Sequence, residues 1–563
     1  MVDSQPERRR RVAIAPVRPE IGCGRFPIKR VVGEPVVVEA DVYGEGHDAV
    51  ACALLHRQAD AAEWTRVSMR PLPNDRWQAS FEVTALGLCS YTIEAWFDRL
   101  ASWRRDLVKR LEGKTLARVD LLTGAEIIED GASRATGADA DRLRAWAAAL
   151  RADRRPRNLA SIALDEDLAA IAARYPDLRL ATRYAKELAV RVDPVAARFS
   201  TWYELFPRSC APEAGRHGTF RDVERRLDYV AGMGFDILYL PPIHPVGRTH
   251  RKGKGNAVTC GPDDVGSPWA IGAAEGGHMA VHPQLGTVDD VTRLVAAAGE
   301  RGMRVALDLA FQCTPDHPWV REHPAWFRWR PDQTIQHAEN PPKKYEDIYP
   351  LDFETEGWRE LWEELKRVVL FWIERGVRTF RVDNPHTKPF TFWEWLIGEI
   401  KSRYPDVIFL GEAFTRPNVM YELAKLGFTQ SYTYFAWRNT KQELTDYFTD
   451  LTSTEAQEFF RPNLWPNTPD ILPEYLQFGG RPAFMARLVL AATLGASYGI
   501  YGPAFELCEN QPLLQQVDAG PLERHPGGGE PGRPPRTGRL DRPGPGSART
   551  GWRASVPGAR PAR

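Results

Sequence analysis

The sequence predicts an α/β fold in which a (β/α)8 barrel, the TIM-barrel architecture, follows an N-terminal β-sandwich that carries a helical insert. Three observations predict this fold. Short apolar segments alternate with turn residues over 12–99, Ala- and Leu-rich helical periodicity fills 100–195, and eight apolar strands alternate with helical runs over 196–512. A chain of 563 residues is long enough for several such domains.

The first two regions differ in hydrophobic period. The segments RVAIAPV, PVVVEADVYG, VACALLHR, RWQASFEV and CSYTIEAWFD are separated by turn residues, and short strands at this spacing are typical of a small sandwich. The next region contains DADRLRAWAAALRADRR and DEDLAAIAARYPDL, whose apolar residues recur at helical spacing. We expect amphipathic helices that pack on the sandwich or form a dimer contact.

Eight candidate barrel strands follow, with helical runs between many of them. They are FSTWYELFP, FDILYLPPI, MRVALDLAF, TFRVDNP, VIFLGEAF, FTQSYTYF, the stretch around RPNLWPNTPDI, and SYGIYGPAFEL. Eight strand–helix repeats in about this length fit a closed barrel better than an open sheet. Because the interval between the third and fourth strands is unusually long, we expect an inserted subdomain at about 311–355, with a functional role.

The last segment, 513–563, has a different composition. Gly, Pro and Arg make up 28 of the 45 residues in 519–563, so too little apolar surface is available to offset the entropy of ordering. The segment is predicted to be disordered. The abrupt change after Gln511 or Pro512 suggests the hypothesis of a shifted reading frame, which resequencing of the coding DNA would test.

Composition excludes several classes of protein. The formal net charge is zero, which argues against a nucleic-acid-binding protein. Seven scattered cysteines without a CxxC pair predict neither a zinc site nor a disulfide framework. The N-terminus has no apolar core long enough for a signal peptide, and no segment is long and apolar enough to span a membrane. We therefore expect a cytoplasmic protein without membrane association, metal or cofactor.

Acidic residues stand at the carboxyl ends of four predicted barrel strands. On the third, fourth, fifth and seventh strands they are Asp308, Asp383, Glu412 and Asp470. The carboxyl ends of barrel strands converge on one site, so we expect these side chains to lie together. A helix N-cap at Asp383 or Asn384 is the alternative interpretation of FRVDNPHTKP, but four converging acids are hard to explain as caps.

Clustered carboxylates fit the cleavage of a glycosidic bond. Asp383 would be the nucleophile, kept ionised by Arg381 two residues earlier on the same face of the strand. Glu412 would be the acid and base, with a pKa raised by burial and by neighbouring carboxylates, and Asp470 would stabilise the transition state. A metal site of Asp308, Asp383 and Glu412 is the rival interpretation; it is less favoured because no His stands at ligand spacing.

The motifs that carry these residues resemble the α-amylase superfamily, glycoside hydrolase family 13, of retaining glycosidases and transglycosylases. The matching segments are ALDLAFQ, FRVD, GEAF, the region of Asp470, and GGHMAVHPQLGT. Three departures separate the chain from starch hydrolases. Gln312 and Cys313 replace Asn-His, Pro469 replaces His before the last Asp, and Asn384 follows the nucleophile.

Together with PPIHPVGRTHRKGKGN, SPWAIG, ENPPKKYEDIYP and FELCEN, these departures closely resemble one branch, the α-1,4-glucan:maltose-1-phosphate maltosyltransferases. The resemblance implies transfer of maltosyl units from α-maltose 1-phosphate to the non-reducing 4-hydroxyl of linear α-1,4-glucans, with release of phosphate and net retention, in glycogen or α-glucan synthesis. It also implies a homodimer formed through the helical insert. The C-terminal β-domain of that branch has no equivalent in 513–563, so we expect it to be missing.

The resemblance further implies a set of substrate-binding residues. By motif match, the donor would contact Lys252, Gln312, Asp347 and Asn384, and its phosphate would lie near Asn340, Lys343 and Tyr345. Lys252 and Lys254 share the RKGK turn, and the sequence leaves open which of them reaches the sugar.

Two other functions stay open from the sequence. One is a hydrolase or a trehalose-forming isomerase of the same superfamily, which the phosphate-suited NPPKKY loop disfavours. The other is an inactive, truncated glucan-binding protein, which the presence of Asp383, Glu412 and Asp470 disfavours.

Overall fold

The protein is described here from a computed structural model. The structure describes residues 9–152, 156–213, 215–254, 257–340 and 343–512, without the side chains of 156–158, 340 and 343. The predicted disorder of 513–563 and the expected lack of a C-terminal β-domain fall outside the described residues.

Two β-sheets pack face to face in the N-terminal region. Their strands are β1 (Val12–Arg18), β2 (Ile28–Val31), β3 (Pro35–Gly44), β4 (Val50–Gln58), β5 (Thr65–Ser68), β6 (Arg70–Pro71), β7 (Arg76–Glu82), β8 (Gly87–Phe97), β9 (Thr182–Arg183) and β10 (Leu188–Asp193). One sheet has the order β1-β3-β7-β6, and the other has β2-β10-β8-β4-β5, with β9 paired to β8. Alternate residues of β3, from Val36 to Val42, are buried between the sheets, as the period of two requires.

Five helices are inserted between β8 and β9. They are α1 (Arg99–Glu112), α2 (Arg118–Arg134), α3 (Gly137–Arg151), α4 (Pro156–Ala163) and α5 (Glu166–Ala172). Leu121, Ile128, Leu143 and Leu150 belong to a hydrophobic core of their own. The insert was predicted to extend to residue 195, but it ends at Ala172, and the following residues return to the sandwich as β9 and β10. Residues 188, 190 and 192 of β10 alternate as buried positions, a strand period that the prediction missed.

The remaining strands and helices belong to the barrel region. The strands are β11 (Ser200–Glu204), β12 (Ile237–Leu240), β13 (Arg304–Leu309), β14 (Gln312–Cys313), β15 (Ala338–Asn340), β16 (Lys343–Tyr345), β17 (Tyr349–Pro350), β18 (Thr379–Val382), β19 (Ile408–Gly411), β20 (Gln430–Ser431), β21 (Asn463–Leu464) and β22 (Ser497–Tyr501). The helices are α6 (Phe220–Glu224), α7 (Leu227–Gly232), α8 (Val288–Gly299), α9 (Pro318–Glu322), α10 (Trp358–Glu374), α11 (Phe390–Arg403), α12 (Pro417–Leu426), α13 (Lys441–Ser453), α14 (Glu474–Leu494) and α15 (Gly502–Glu506).

Eight of these strands form one parallel sheet in the order β20-β19-β18-β13-β12-β11-β22-β21. A parallel bridge between Ser431 and Pro462 joins its two ends, and the Ser431 amide donates to the Arg461 carbonyl at 3.0 Å. The sheet is therefore an eight-stranded barrel. The predicted fold, a TIM barrel after an N-terminal sandwich with a helical insert, is confirmed.

The strand β21 is shorter than predicted. The stretch RPNLWPNTPDI forms a strand only at Asn463–Leu464, because Pro466 and Pro469 cannot donate to a ladder. Thr468 and Ile471 pair across a turn. Asp470 therefore lies in the loop that follows β21, not at the end of the strand.

The long segment between β13 and β18 is folded. The strands β14 and β17 pair antiparallel, and β15 and β16 form a separate hairpin in which Asn340 is paired with Lys343. These strands follow the carboxyl end of β13, the end at which barrel sites lie. Among the helices of the described residues, no helix has the length and apolarity of a membrane span.

Candidate active site

Three adjacent barrel strands bring their charged residues to one guanidinium. The register pairs Asp308 of β13 with Arg381 of β18, and Glu412 directly follows β19. Arg381 Nη1 lies 3.0 Å from Asp308 Oδ2 and 2.9 Å from Asp383 Oδ1, while Nη2 lies 2.9 Å from Glu412 Oε1. These four side chains are at most 9% exposed. Three of the four predicted acids thus meet at Arg381.

Asp308 is held by further donors. Its Oδ2 accepts from the Tyr239 hydroxyl at 2.6 Å and from Trp269 Nε1 at 3.2 Å. Burial raises the pKa of the Asp308 carboxyl to about 7; Arg381 opposes this rise and Asp383 adds to it. Asp308 is thus held by Arg381, Tyr239 and Trp269. We interpret it as a buried residue that keeps Arg381 in position.

Glu412 and Asp383 are linked through Asn384, the residue that follows Asp383. The Asn384 amide donates to Glu412 Oε2 at 3.3 Å, and Asn384 Nδ2 donates to Asp383 Oδ2 at 3.4 Å. Asn384 has φ 41°, in the left-handed region, which Asn tolerates better than most side chains. Burial raises the pKa of Glu412 well above its usual range, with a further rise from Asp383 and Asp470 and an opposing effect of Arg381.

Neither alternative interpretation of these acids agrees with the geometry. The short 3-10 helix after Asn384 has no side-chain cap hydrogen bond, and α11 begins after Pro389, so neither Asp383 nor Asn384 is a helix cap. The carboxylates of Asp308, Asp383 and Glu412 converge on the Arg381 cation, which occupies the position that a shared metal ion would need. Within the described residues, no group of three or more His, Cys, Asp or Glu is arranged to hold a metal.

Asp470 belongs to the same cluster by its electric field and not by a hydrogen bond. It is accessible to solvent, yet protein surrounds it closely enough that desolvation raises the pKa of its carboxyl, with Arg381 opposing and Asp383 adding. An acid at the open side of the cluster can contact a substrate that enters there.

The residues expected to bind the donor come from three loops. Gln312 on β14 donates to the Trp269 carbonyl at 3.1 Å. Lys252 Nζ lies 2.6 Å from Glu346 Oε2 and its side chain is 6% exposed, whereas Lys254 is exposed. The structure thus distinguishes the two lysines of the RKGK turn: only Lys252 is enclosed.

The insertion supplies the other expected donor residues. Asp347 is buried, and its Oδ1 has no hydrogen-bond partner among the described residues. Burial raises the pKa of the half-buried Tyr345, and the charges of Asp470 and Asp347 raise it further, so these three groups lie near one another. Asn340 and Lys343 face each other across the β15–β16 hairpin, but their side chains lie outside the described part of the chain.

Sequence reasoning missed several residues that contact the site. Tyr239 and Trp269 bond Asp308, Glu346 bonds Lys252, and Lys388 Nζ donates to the carbonyl oxygens of Asp383 and Asn384 at 3.3 and 3.2 Å. Tyr239 lies near the carboxyl end of the strand FDILYL, and this position was the only feature of the sequence that could have indicated a residue of the site. The others lie on loops, where sequence spacing does not indicate a partner.

Known proteins resemble the chain over most of its length. Residues 10–194 match the family described as α-1,4-glucan:maltose-1-phosphate maltosyltransferase, domain N/S, and residues 204–360 match the α-amylase catalytic domain. The α-1,4-glucan:maltose-1-phosphate maltosyltransferase of Chlorobaculum tepidum is 55% identical over 511 residues, which are 91% of this chain and 76% of that protein. Maltosyltransferase 1 of Streptomyces coelicolor is 49% identical over 510 residues, 90% of this chain and 75% of that protein.

Solved structures resemble the chain more distantly. A maltogenic α-amylase from Thermotoga neapolitana is 22% identical, with a TM-score of 0.45, and the match covers 58% of this chain and 73% of that one.

Proposed function

The chain belongs to the α-1,4-glucan:maltose-1-phosphate maltosyltransferase family, and from this premise we propose that Asp383, Glu412 and Asp470 transfer maltosyl units from α-maltose 1-phosphate to the 4-hydroxyl at the non-reducing end of α-1,4-glucans. The chain is thus a glycosyltransferase. The observation that supports the residue roles is the contact of Asp383 and Glu412 with the two Nη atoms of one guanidinium.

The first step is a displacement by Asp383. Its carboxylate oxygen forms a bond to the anomeric carbon as the bond to the phosphate oxygen breaks, which gives a β-maltosyl ester and inorganic phosphate. Arg381, at 2.9 Å from Asp383 Oδ1, stabilises the ionised nucleophile. Phosphate carries its electron pair away with little help, so the raised pKa of Glu412 matters less here than in hydrolysis of a sugar–sugar bond.

The second step needs Glu412 as a base. The 4-hydroxyl of the glucan attacks the ester, its proton passes to Glu412, and Asp383 leaves as a carboxylate. Once Asp383 is esterified, its negative charge no longer raises the pKa of Glu412, so Glu412 ionises more readily at the stage when a base is needed. Two inversions give net retention, for which the two carboxyls must lie close together. Asp470 would hold sugar hydroxyls in the distorted ring of the transition state.

Donor recognition would come from the loops around the cluster. Lys252, Gln312, Asp347 and Asn384 would bind the maltosyl unit, and Asn340, Lys343 and Tyr345 would lie near the phosphate. The solvent-accessible Asp470 and the half-buried Tyr345 support this arrangement, because the charge of Asp470 adds to the rise that burial causes in the pKa of Tyr345. Cation and neutral donors on the β15–β16 hairpin suit a dianionic leaving group.

We also infer the assembly and location. A homodimer through α1–α5 is supported by three exposed apolar side chains, Val108 on α1 and Val119 and Leu122 on α2, since a group of exposed apolar side chains suits an interface. A cytoplasmic location is supported by seven unpaired cysteines, which a reducing compartment maintains. The pathway would be glycogen or α-glucan synthesis.

Product analysis tests the function directly. The protein is incubated with α-maltose 1-phosphate and a malto-oligosaccharide, and we expect phosphate release together with chain growth in steps of two glucose units. Growth by single glucose units would contradict maltosyl transfer, and free maltose as the only sugar product would indicate a hydrolase. Absence of any reaction would favour the inactive glucan-binding protein.

A further inference from the structure

We propose that Glu346 is a positioning residue that holds Lys252 in the donor pocket and makes this part of the pocket specific for sugar hydroxyls and not for phosphate. The inference rests on the proposed function, because Lys252 is assigned to the donor there. Glu346 itself has no role in the chemistry described above.

The contact joins two loops that are remote in sequence. Lys252 Nζ and Glu346 Oε2 lie 2.6 Å apart, with side-chain exposures of 6% and 35%. Lys252 is followed by Gly253, where a Cβ would lie 2.3 Å from the Thr259 carbonyl oxygen, so the turn is tight and fixes the backbone of Lys252. Glu346 directly follows β16. The ion pair thus ties the RKGK turn to the insertion.

The pair lies beside the reaction centre. Asp347 follows Glu346; burial raises the pKa of its carboxyl, and the charge of Lys252 opposes this rise. Tyr345 precedes Glu346; burial raises the pKa of its hydroxyl, and the charges of Asp470 and Asp347 raise it further. The two chain neighbours of Glu346 therefore respond to Lys252 on one side and to Asp470 on the other, which supports a place for the ion pair near the solvent-accessible acid of the cluster.

The charge balance around Lys252 decides what it can bind. One ammonium faces two carboxyl groups, Glu346 and Asp347, so these three groups together carry one net negative charge when both carboxyls are ionised. The Asp347 Oδ1 atom, buried and without a partner among the described residues, is free to accept from a hydroxyl. An ammonium donor beside a carboxylate acceptor suits a sugar hydroxyl, which both donates and accepts, whereas a phosphate dianion would be repelled.

The variant Glu346→Gln tests the inference with donor kinetics. Removing the charge loosens Lys252, so we expect the KM for maltose 1-phosphate to rise about tenfold, the effect of one lost charge-assisted hydrogen bond, with kcat little changed. Inhibition by free maltose should weaken, while inhibition by inorganic phosphate should strengthen because one of the two negative charges that repel phosphate is removed. Glu346→Asp keeps the charge and should recover part of the affinity.

The control is Glu275→Gln. Glu275 has the same 35% exposure as Glu346 and pairs at 2.9 Å with Arg248, in the same loop as Lys252. Because this pair does not involve Lys252, the substitution should leave kcat and the KM for maltose 1-phosphate unchanged. Glu346→Gln should also add nothing in a Lys252→Met background, since the two residues act as one unit. A persisting effect in that background, a loss confined to kcat, or unchanged phosphate inhibition would overturn the inference.

Phosphate release tests the proposed function, and maltose binding tests the role of Glu346. If the wild-type protein releases no phosphate from maltose 1-phosphate, the proposed function is wrong. Calorimetric titration of maltose into the wild-type protein and Glu346→Gln then decides the inference alone: weaker binding by the variant supports it, and equal binding or no binding to either overturns it.

Discussion

The Glu412 carboxyl contacts both Arg381 and the amide of Asn384, and the role proposed for it differs between the two displacements. Phosphate departs with little help, but the acceptor hydroxyl must lose a proton to Glu412. We therefore expect Glu412→Gln to release about one phosphate per protein molecule and then stall as the maltosyl ester of Asp383. Rapid-quench phosphate measurement and intact-protein mass spectrometry check this outcome.

Two controls define that experiment. Asp383→Asn should give neither the burst nor the adduct, because it lacks the attacking oxygen. Azide, which needs no base, should restore turnover to Glu412→Gln by forming a maltosyl azide. Steady phosphate release by Glu412→Gln at the wild-type rate would contradict the assignment.

Glu204, at the end of β11, is a buried carboxyl that has no role in the proposed mechanism. Its Oε2 has no hydrogen-bond partner among the described residues. Burial raises the pKa of Glu204 well above its usual range, with Arg381 opposing and Asp308, Asp470 and Glu412 adding. The folded state therefore keeps a proton that the unfolded state loses from about pH 4.3 upward, and stability falls as pH rises through that window.

We expect Glu204→Gln to be more stable than the wild-type protein at pH 7.5 and to lose this advantage near pH 4. The amide has no such proton to lose, so its folded state escapes the penalty. Urea unfolding at both pH values measures the difference. A difference that is equal at the two pH values would indicate a packing effect instead of the linkage described.

The loop between β12 and α8 is joined to the loop after β13. Thr314 donates its amide to the Ile271 carbonyl at 2.8 Å and its hydroxyl to the Gly272 carbonyl at 2.5 Å. His278 Nε2 lies 2.9 Å from the Ala310 carbonyl oxygen. These bonds hold together the segments that carry Trp269 and Gln312, so the shape of the expected donor pocket depends on their packing.

Gly277 is the position at which this packing is most easily disturbed. A Cβ there would lie 2.1 Å from His317 Nε2, and His317 is buried. We expect Gly277→Ala to destabilise the protein by about 1–3 kcal/mol through overpacking and to raise the KM for maltose 1-phosphate. Thermal unfolding and steady-state kinetics measure both effects. In Gly299→Ala, on α8, the added Cβ meets nothing within 4 Å, so stability should not fall and the KM should not rise.

The barrel elements could be predicted because parallel strands are buried on both faces. The strands ILYL, TFRV and IFLG are wholly buried, and such strands are continuous apolar runs in the sequence. The acids at their carboxyl ends could be predicted for the same reason, since strand direction alone brings them to one end of the barrel. The predicted family is confirmed by the similarity of most of the chain to its relatives.

The loop contacts could not be predicted in this way. Asp470 depends on a turn after β21, and Glu346 depends on how a long insertion folds back over the RKGK turn. Such positions are set by tertiary packing and not by a local period. The end of the helical insert was missed because β10 is short and follows many helical residues.

The sandwich and the barrel are fastened by a buried group of charges. Asp193, at the end of β10, is fully buried, and its two oxygens bond Lys401 Nζ of α11 at 2.6 Å and Arg461 Nη1 at 2.5 Å. Burial alone would raise the pKa of Asp193, but Lys401 and Arg461 lower it below its usual range. The stability that this carboxylate contributes is therefore present above the unfolded pKa and is lost as pH falls toward the lower folded value.

We expect Asp193→Asn to destabilise the protein by about 3–5 kcal/mol, because it leaves two buried cations without their counter-ion. The loss should be largest at neutral pH and should shrink in acid, where the wild-type carboxylate itself becomes protonated. Urea unfolding as a function of pH measures it. Asp228→Asn, which breaks the 2.6 Å surface pair with Arg301 where Asp228 is 83% exposed, should leave stability unchanged. Equal effects of the two substitutions would show that the buried charges do not hold the two domains together.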